Sequence, residues 1–358
     1  MQTNKKILIT GGLGYIGSHT ATVFAEAGFD LIIIDNFSNS HESTLETLKK
    51  LCPTKIKFYE LDMRNYEELE KVFEKHAEEI WLILHFAAKK AVGESCHDPF
   101  LYYEHNIDGS INLLRVMEKY DTKNIIFSSS ATVYDAENLL PPFSENDRLK
   151  TINPYGTTKL MIEYLLRDMV MHKGFSAIAL RYFNPVGAHA SHLIGENPKG
   201  IPTNLLPFLL RVAKGEIEKL NVFGDDYETA DGTCVRDYIH VMDVAEAHFV
   251  AAKYLYERDL INETSELYVA EPIFEVVNIG TGYGKSVTEM IEIVKTVTDK
   301  EIPYTVVERR AGDAPISLAN PLKAKKMFDR EAQRSIMQAV EDAWSYLQKQ
   351  EEKEKEKT

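Results

Sequence analysis

Six short apolar runs, at residues 6–10, 31–34, 56–61, 80–86, 125–129 and 177–181, follow one another along the first half of the chain. Each is separated from the next by a longer segment of helical period. Strands with no internal polar alternation are buried on both faces, and connections of about 15 residues or more are crossovers rather than hairpins. The pattern predicts an α/β domain: a doubly wound parallel sheet covered by helices on both sides. The full length, 358 residues, allows two to three units of about 150 residues, or one large α/β unit with a smaller lobe.

The texture changes after Asn184 and Pro185. Residues 185 to 202 are rich in Gly, Asn, His and Pro, and helical patterns recur at 205–214, 244–256 and 287–297. The expected organisation is a sheet domain over 1–184, a smaller mixed C-terminal lobe mainly over 185–345, and a charged tail over 346–358, with 236–255 and 275–282 able to return to the first domain. Residues 257–272 read as a surface loop. Residues 348–358, almost all charged or Gln, read as a solvated fraying helix or a disordered tail.

Forty-one Lys and Arg against 55 Asp and Glu give a net charge of -14. Such a chain repels nucleic acid and anionic membrane surfaces, so an anionic ligand must be held by local Arg, Lys and helix N-termini. No nucleic-acid partner is expected. No run approaches 18 apolar residues and the N-terminus lacks a secretory apolar region, so neither a membrane nor export is expected. Cys52, Cys96 and Cys234 are scattered and form no C-x-x-C pair, which fits a reducing, cytoplasmic setting. The histidines, His189 and His192 included, have no metal-ligand spacing beyond a loop pair, and no metal is expected.

Gly11, Gly14 and Gly17 fall in T-G-G-L-G-Y-I-G, after the first strand and before a helical segment at 18–27. A turn free of Cβ, close backbone approach and the free N–H groups of a helix start together suit a pyrophosphate. Asp35 closes the second strand 18 residues beyond Gly17, where a carboxylate accepts both ribose hydroxyls of an adenosine and repels a 2′-phosphate. The expected cofactor is NAD rather than NADP, on a Rossmann-type fold.

Tyr155 and Lys159 stand in N-P-Y-G-T-T-K with Pro154 in a first helical turn, so phenol and ammonium share one helix face. A phenol must fall by about three units to act as a base near neutrality, which costs about 4 kcal/mol. One cation about 4 Å away in a medium of effective dielectric 20 supplies roughly that much. Ser128-Ser129-Ser130 ends the fifth strand at the carboxyl edge, where ligands of such sheets bind.

The glycine loop, Ser130, Tyr155 and Lys159 together resemble the extended short-chain dehydrogenase/reductase family. Longer strings, among them F-A-A-K-K-A-V-G-E-S, R-Y-F-N-P-V-G-A-H, G-I-P-T-N-L-L-P, G-T-C-V-R-D-Y-I-H-V and R-R-A-G-D, are similar to its UDP-glucose 4-epimerase branch from residue 8 to about 320. The resemblance implies a homodimeric isomerase of galactose metabolism with tightly bound NAD. It would invert C4′ of UDP-glucose and UDP-galactose through a 4-keto intermediate. It implies Ser130, Tyr155 and Lys159 as catalytic hydroxyl, base and ribose-binding lysine. The cofactor would lie on Gly11, Gly14, Tyr15, Ile16, Gly17, Asp35, Asn36, Asp62, Met63, Phe86, Ala87, Lys90 and Tyr182. The UDP-sugar would meet Lys90, Asn184, Asn204, Val222, Phe223, Arg236, Arg310 and Asp313. Which arginine of Arg309-Arg310 faces it is set by the family pattern alone.

Departures from that pattern are Lys89 before Lys90, His105 beside Asn106, Asp135 after Tyr134 and Cys234 before Val235; of these His105 puts one cofactor contact in question. Ser317, four residues after Asp313, stands where some relatives carry a tyrosine beside the sugar's C2 substituent. A small residue leaves room for an N-acetyl group, so UDP-GlcNAc and UDP-GalNAc are expected substrates as well. A sugar 4,6-dehydratase would place an acid beside the Ser130 hydroxyl, where Ala131 and Thr132 offer none. A non-catalytic NAD-sensing regulator would usually lack the tyrosine or the lysine.

Overall fold

The computed structural model describes residues 5–200, 202–264, 271–310 and 312–355. The strands are β1 (Lys6–Thr10), β2 (Leu31–Asp35), β3 (Ile56–Glu60), β4 (Ile80–His85), β5 (Asn124–Ser130), β6 (Ser176–Tyr182), β7 (Asn184–Val186), β8 (Leu220–Phe223), β9 (Val235–His240), β10 (Phe274–Ile279), β11 (Gly284–Ser286), β12 (Tyr304–Val307) and β13 (Ile316–Ser317). The helices are α1 (Tyr15–Glu26), α2 (Glu42–Leu51), α3 (Tyr66–His76), α4 (Val92–His97), α5 (Pro99–Tyr102), α6 (Gly109–Lys119), α7 (Pro154–Lys173), α8 (Leu205–Lys214), α9 (Val241–Thr264), α10 (Val287–Thr298), α11 (Leu322–Phe328) and α12 (Ile336–Lys355).

Seven strands pair in parallel in the order β10-β6-β5-β4-β1-β2-β3. Strand order reverses between β1 and β4, and the crevice outside the carboxyl ends of those strands is where such sheets bind ligands. Five of the apolar runs form strands with both pleat faces covered, whereas β3, at the sheet edge, leaves Lys57 and Glu60 exposed. Ile7 and Ile9 enter one core cluster with Phe24 and Val244, whereas Leu8 enters the opposite cluster with Phe73, Leu113 and Ile162.

The six sequence runs are all strands of this sheet, and β10 adds a seventh beyond the expected boundary at 184. Helix α9 lies against α1, with the Phe24 and Phe249 rings 5.4 Å apart edge to face. By contrast β9 sits in a second, mixed sheet: it pairs in parallel with β7 and β13 and antiparallel with β11. Strands β8 and β12 form a separate parallel pair. Helices α8, α10 and α12 cover this half through Leu209, Ile291 and Val340.

Three local expectations are corrected. The glycine-loop helix starts at Tyr15, three residues before the expected 18, with Gly14 as its N-cap, so Gly17 lies inside the first turn. Residues 257–264 continue α9 and are not loop; 265–270 lie outside the described residues. The tail does not begin at 346, because Tyr346 is buried and Leu347 packs on the small core; helix α12 persists to Lys355.

Candidate active site

At the β1/β4 switch point the chain forms a cleft of about 380 Å³. The glycine loop makes its floor. Gly11 has φ +66, and a Cβ there would sit 2.7 Å from the Ala87 nitrogen. A Cβ on Gly17 would lie 2.4 Å from the Gly11 carbonyl oxygen. Loop and helix start therefore close down only on bare backbone, and the first turn of α1, from Gly14 to Gly17, lines the cleft, where helix-start N–H groups lack intrahelical partners.

Asp35 ends β2 at the rim. Its Oδ2 accepts from the Leu13 N–H at 3.0 Å, while Oδ1 accepts from Ser40 Oγ at 2.7 Å and the Phe37 N–H at 3.0 Å. One carboxylate thus ties the glycine loop to the β2 end and fixes its own direction. Asp62 is held by the Arg64 guanidinium at 2.9 Å and by Asn36 Nδ2 at 3.2 Å. The Arg64 bonds outweigh burial and hold its carboxyl down at about 2. Met63, Phe86, Ala87 and Tyr182 complete the wall.

Helix α7 delivers the tyrosine and lysine. Asn153 caps it, accepting the Gly156 N–H at 2.8 Å, and a Cβ on Gly156 would approach the Thr132 carbonyl to 2.7 Å. The first turn of α7 therefore packs directly on the turn that follows β5, and Tyr155 stands beside Ser130. Ser130 Oγ is oriented by the Thr132 N–H at 3.2 Å and the Thr132 hydroxyl at 3.0 Å. Lys159 is buried, and its Nζ donates to the Ser128 carbonyl at 2.7 Å, 5.8 Å from the Tyr155 ring centre.

The charges in this group are poised. Burial pushes the Tyr155 phenol above its ordinary value, against a downward pull from the Ser130 hydroxyl. Burial likewise drives the Lys159 ammonium down to about 7, against an upward pull from Glu163. A cation within reach of Tyr155 stabilises its phenolate in either case.

Of the residues singled out from the sequence, Gly11, Gly14, Tyr15, Ile16, Gly17, Asp35, Asn36, Asp62, Met63, Phe86, Ala87, Lys90, Ser130, Tyr155, Lys159, Tyr182, Asn184 and Asn204 all line this one cleft. A second set lies apart on the small lobe. Arg236 donates to the Ala314 carbonyl at 2.8 Å and reaches Asp313 at 3.4 Å, rather than pairing with Asp237 or Asp243. Ser317 sits opposite Arg236 in the β13/β9 register. Arg310 stacks on Phe223 at 3.7 Å, whereas Arg309 is committed to Asp226 at 2.6 Å and stacks on Tyr227. Of the two adjacent arginines, Arg310 is thus the one left to meet an anion. Val222 packs into the α8/α10 core, 3% exposed.

His105 lines the cleft from a π-helical turn at Tyr103–Asp108, with its Nδ1 on the Leu101 carbonyl. The adjacent Asn106 is the fully buried member. Its Oδ1 accepts the Lys89 N–H at 2.8 Å and its Nδ2 donates to Thr158 Oγ1 at 2.9 Å, bracing α7. The residues that sequence reasoning missed are acids and histidines that act through a partner. Glu196 accepts from Lys90 at 3.0 Å and from Asn204 at 3.0 Å across the cleft mouth. His248, with Nδ1 on the Val244 carbonyl and burial holding it near 4, presents Nε2 to the Tyr182 hydroxyl. Nothing local in the sequence marks either one.

A profile of the NAD dependent epimerase/dehydratase family matches residues 7–262. The chain belongs to this family. Within it, the UDP-glucose 4-epimerase of Bacillus subtilis is 44% identical over 341 residues, covering 95% of this chain and 96% of the relative. Among solved structures, a UDP-glucose 4-epimerase from Stenotrophomonas maltophila with bound NAD and formylated UDP-arabinopyranose superposes with a TM-score of 0.90 at 38% identity, covering 98% of this chain and 99% of that one. The UDP-Glc/GlcNAc 4-epimerase of Campylobacter jejuni superposes with a TM-score of 0.80 at 34% identity, covering 96% and 99%. For a member of this family, the glycine floor that a Cβ would fill and the fixed Asp35 at its rim fit NAD.

Proposed function

We propose that the protein interconverts UDP-glucose and UDP-galactose by NAD-dependent epimerisation at C4′. The observation that carries this reading is Tyr155, Ser130 and Lys159 converging in the same cleft as the glycine floor and Asp35. A secondary carbinol has no acidified C–H, so inversion there requires transient oxidation, and NAD supplies the hydride acceptor and donor. The chain's own residues do the rest. Tyr155 takes the 4′-hydroxyl proton through its phenol oxygen, with the Ser130 hydroxyl as its hydrogen-bond partner. Lys159 holds positive charge beside it. When the 4-ketose has turned over to present its other face for reduction, the same phenol returns the proton to the 4′-oxygen.

That turnover requires firm hold on the nucleotide and a loose one on the hexose. Supporting this division, the cationic groups Arg236 and Arg310 lie on the small lobe, outside the residues that line the cleft around Tyr155. Arginine forks suit a pyrophosphate because they give paired charge-assisted bonds. Incubation with UDP-galactose and no added cofactor tests the reading. UDP-glucose is the expected product; no conversion even with NAD supplied would refute it.

The same reading extends to N-acetylated sugars through Ser317. Wild-type protein is expected to convert UDP-N-acetylgalactosamine too, and Ser317→Tyr to depress that activity at least about tenfold relative to the plain hexose, the cost of one overfilled pocket position. An unchanged ratio would remove Ser317 from the specificity argument.

We also propose a cytoplasmic homodimer. Supporting the pairing, Phe100 is 78% exposed, and Met161, Tyr164 and Met171 are exposed along α7, an apolar surface beside the cleft. Supporting the compartment, Cys52, Cys96 and Cys234 are all free thiols. No described helix is long and apolar enough to cross a membrane. Sedimentation equilibrium of the full chain reads the first, and a single-chain mass would oppose it; cell fractionation reads the second, and recovery outside the cytosol would oppose it.

A further inference from the structure

The three consecutive serines that end β5 each meet one residue of α7. The Ser128 carbonyl takes Lys159, the Ser130 hydroxyl neighbours Tyr155, and Ser129 Oγ donates to Glu163 Oε1 at 2.5 Å. Tyr155, Lys159 and Glu163 are spaced by four, so they lie along one helix face one turn apart. Behind Glu163 stands Arg181, which is opposite Ser129 in the β5/β6 register. Its Nε donates to Glu163 Oε1 at 2.9 Å and its Nη2 to Oε2 at 2.6 Å. Both side chains are nearly sealed from solvent, at 2% and 3% exposure.

Buried ion pairs are a poor way to stabilise a fold, since well-packed apolar residues of similar volume serve as well or better. The Glu163–Arg181 pair sits one turn from a buried lysine whose charge the chemistry needs, and that placement gives it a use. We propose that Glu163, backed by Arg181, is a positioning residue of the reaction: it fixes the register of α7 on β5 and supplies the negative field that keeps Lys159 an ammonium beside Tyr155. The inference rests on the assignment of Tyr155 and Lys159 as base and charge partner.

The surroundings of Lys159 leave Glu163 this role. On α7 itself the other titratable neighbour is Tyr155. From β5 come the Ser128 carbonyl and the face of Phe127, 4.8 Å from Nζ. From β4 comes His85, buried between Thr10 and Ser110 and held neutral near 3 by its burial. From β6 come Tyr182 and, on the far side of the Glu163 carboxylate, Arg181. Among these described groups Glu163 is the one anion, and Arg181 offsets it from farther away.

The test is the pH profile of kcat for UDP-galactose, together with the titration of Lys159 followed by 13C NMR of ε-labelled lysine and assigned by its loss in Lys159→Met. In Glu163→Gln, Arg181 is left unneutralised. The Lys159 titration and the basic limb of kcat are expected to move to lower pH by about one unit or more. In Arg181→Gln the carboxylate is left unopposed, and both are expected to move upward. In Glu163→Gln/Arg181→Gln they fall between the Glu163 variant and the wild type. Removing one partner of a buried pair can unfold a protein. If either single variant fails to fold, the double variant alone decides, because it must still titrate below the wild type. Shifts of the same sign in both single variants, or a double variant titrating at or above the wild-type pH, would overturn the proposal. Wild-type protein that does not epimerise at all would instead refute the functional reading, and the lysine titration would still decide this one.

Discussion

Tyr155→Phe is expected to lower kcat by about 10³-fold, in the range typical of a positioned acid–base group, with little change in affinity for the UDP-sugar. The ring keeps its place on the turn after β5, where the Gly156 backbone approaches Thr132, so the fold is expected to persist. Ser130 Oγ keeps both Thr132 donors. Only the oxygen that carries the 4′-hydroxyl proton is lost. Steady-state kinetics with UDP-galactose reads the effect. Turnover within a few-fold of wild type would remove the phenol from the chemistry, and a fall in melting temperature without a fall in kcat would make it a packing residue.

The second large effect concerns the floor of the cleft. In Gly17→Val the added side chain must enter space that already holds the Gly11 carbonyl oxygen, 2.4 Å from the new Cβ, and the Gly12 Cα, 3.0 Å away. Neither neighbour is a flexible side-chain end. The start of α1 has to move off the loop, which costs about 1–3 kcal/mol of stability by overpacking. The same movement withdraws backbone N–H donors from a pyrophosphate, and each such charge-assisted bond is worth about 1.5–3 kcal/mol. Affinity for NAD is expected to fall on the order of 100-fold for the loss of one to two donors. The purified variant should therefore carry little nucleotide by absorbance at 260 nm. Full NAD content in that variant would mean that the loop does not hold the pyrophosphate.

These two positions were also the most legible ones in the sequence, for a physical reason. A glycine triplet between strand and helix, and a tyrosine and lysine four apart on a helix, are local patterns, and the family resemblance of the longer strings around them supplies their roles. The parallel sheet was legible in the same way, since a succession of short apolar runs joined by long helical segments leaves few other folds. Legibility stops where a role depends on a partner distant along the chain. Glu163 stands one more step of four along the α7 face, but its role comes from Arg181 on the next strand and Ser129 on the last. Glu196 comes from a loop with no periodicity, and only folding brings Lys90 and Asn204 to it.

The same limit applies to β8 and to the end of α9. Val222 alternates with Asn221 and Phe223 along a four-residue strand, so one face of β8 meets the α8/α10 core and the other is left for Arg310. Sequence alone does not say which face is which. The helix at 241–264 was read short because its later turns are polar, although Trp81 Nε1 and Asn124 Nδ2 both donate to Asp259 at 2.8 Å and tie that end down to the sheet.

The central claim is that C4′ is oxidised and reduced by the same hydride while Tyr155 moves only protons. UDP-galactose carrying deuterium at C4′, incubated with the protein in ordinary water, tests it most directly. The account predicts UDP-glucose with the deuterium still at C4′ after conversion, because the label leaves as hydride and returns without meeting solvent. Loss of deuterium to water at the rate of epimerisation would mean that C4′ exchanges its hydrogen as a proton, and would contradict it.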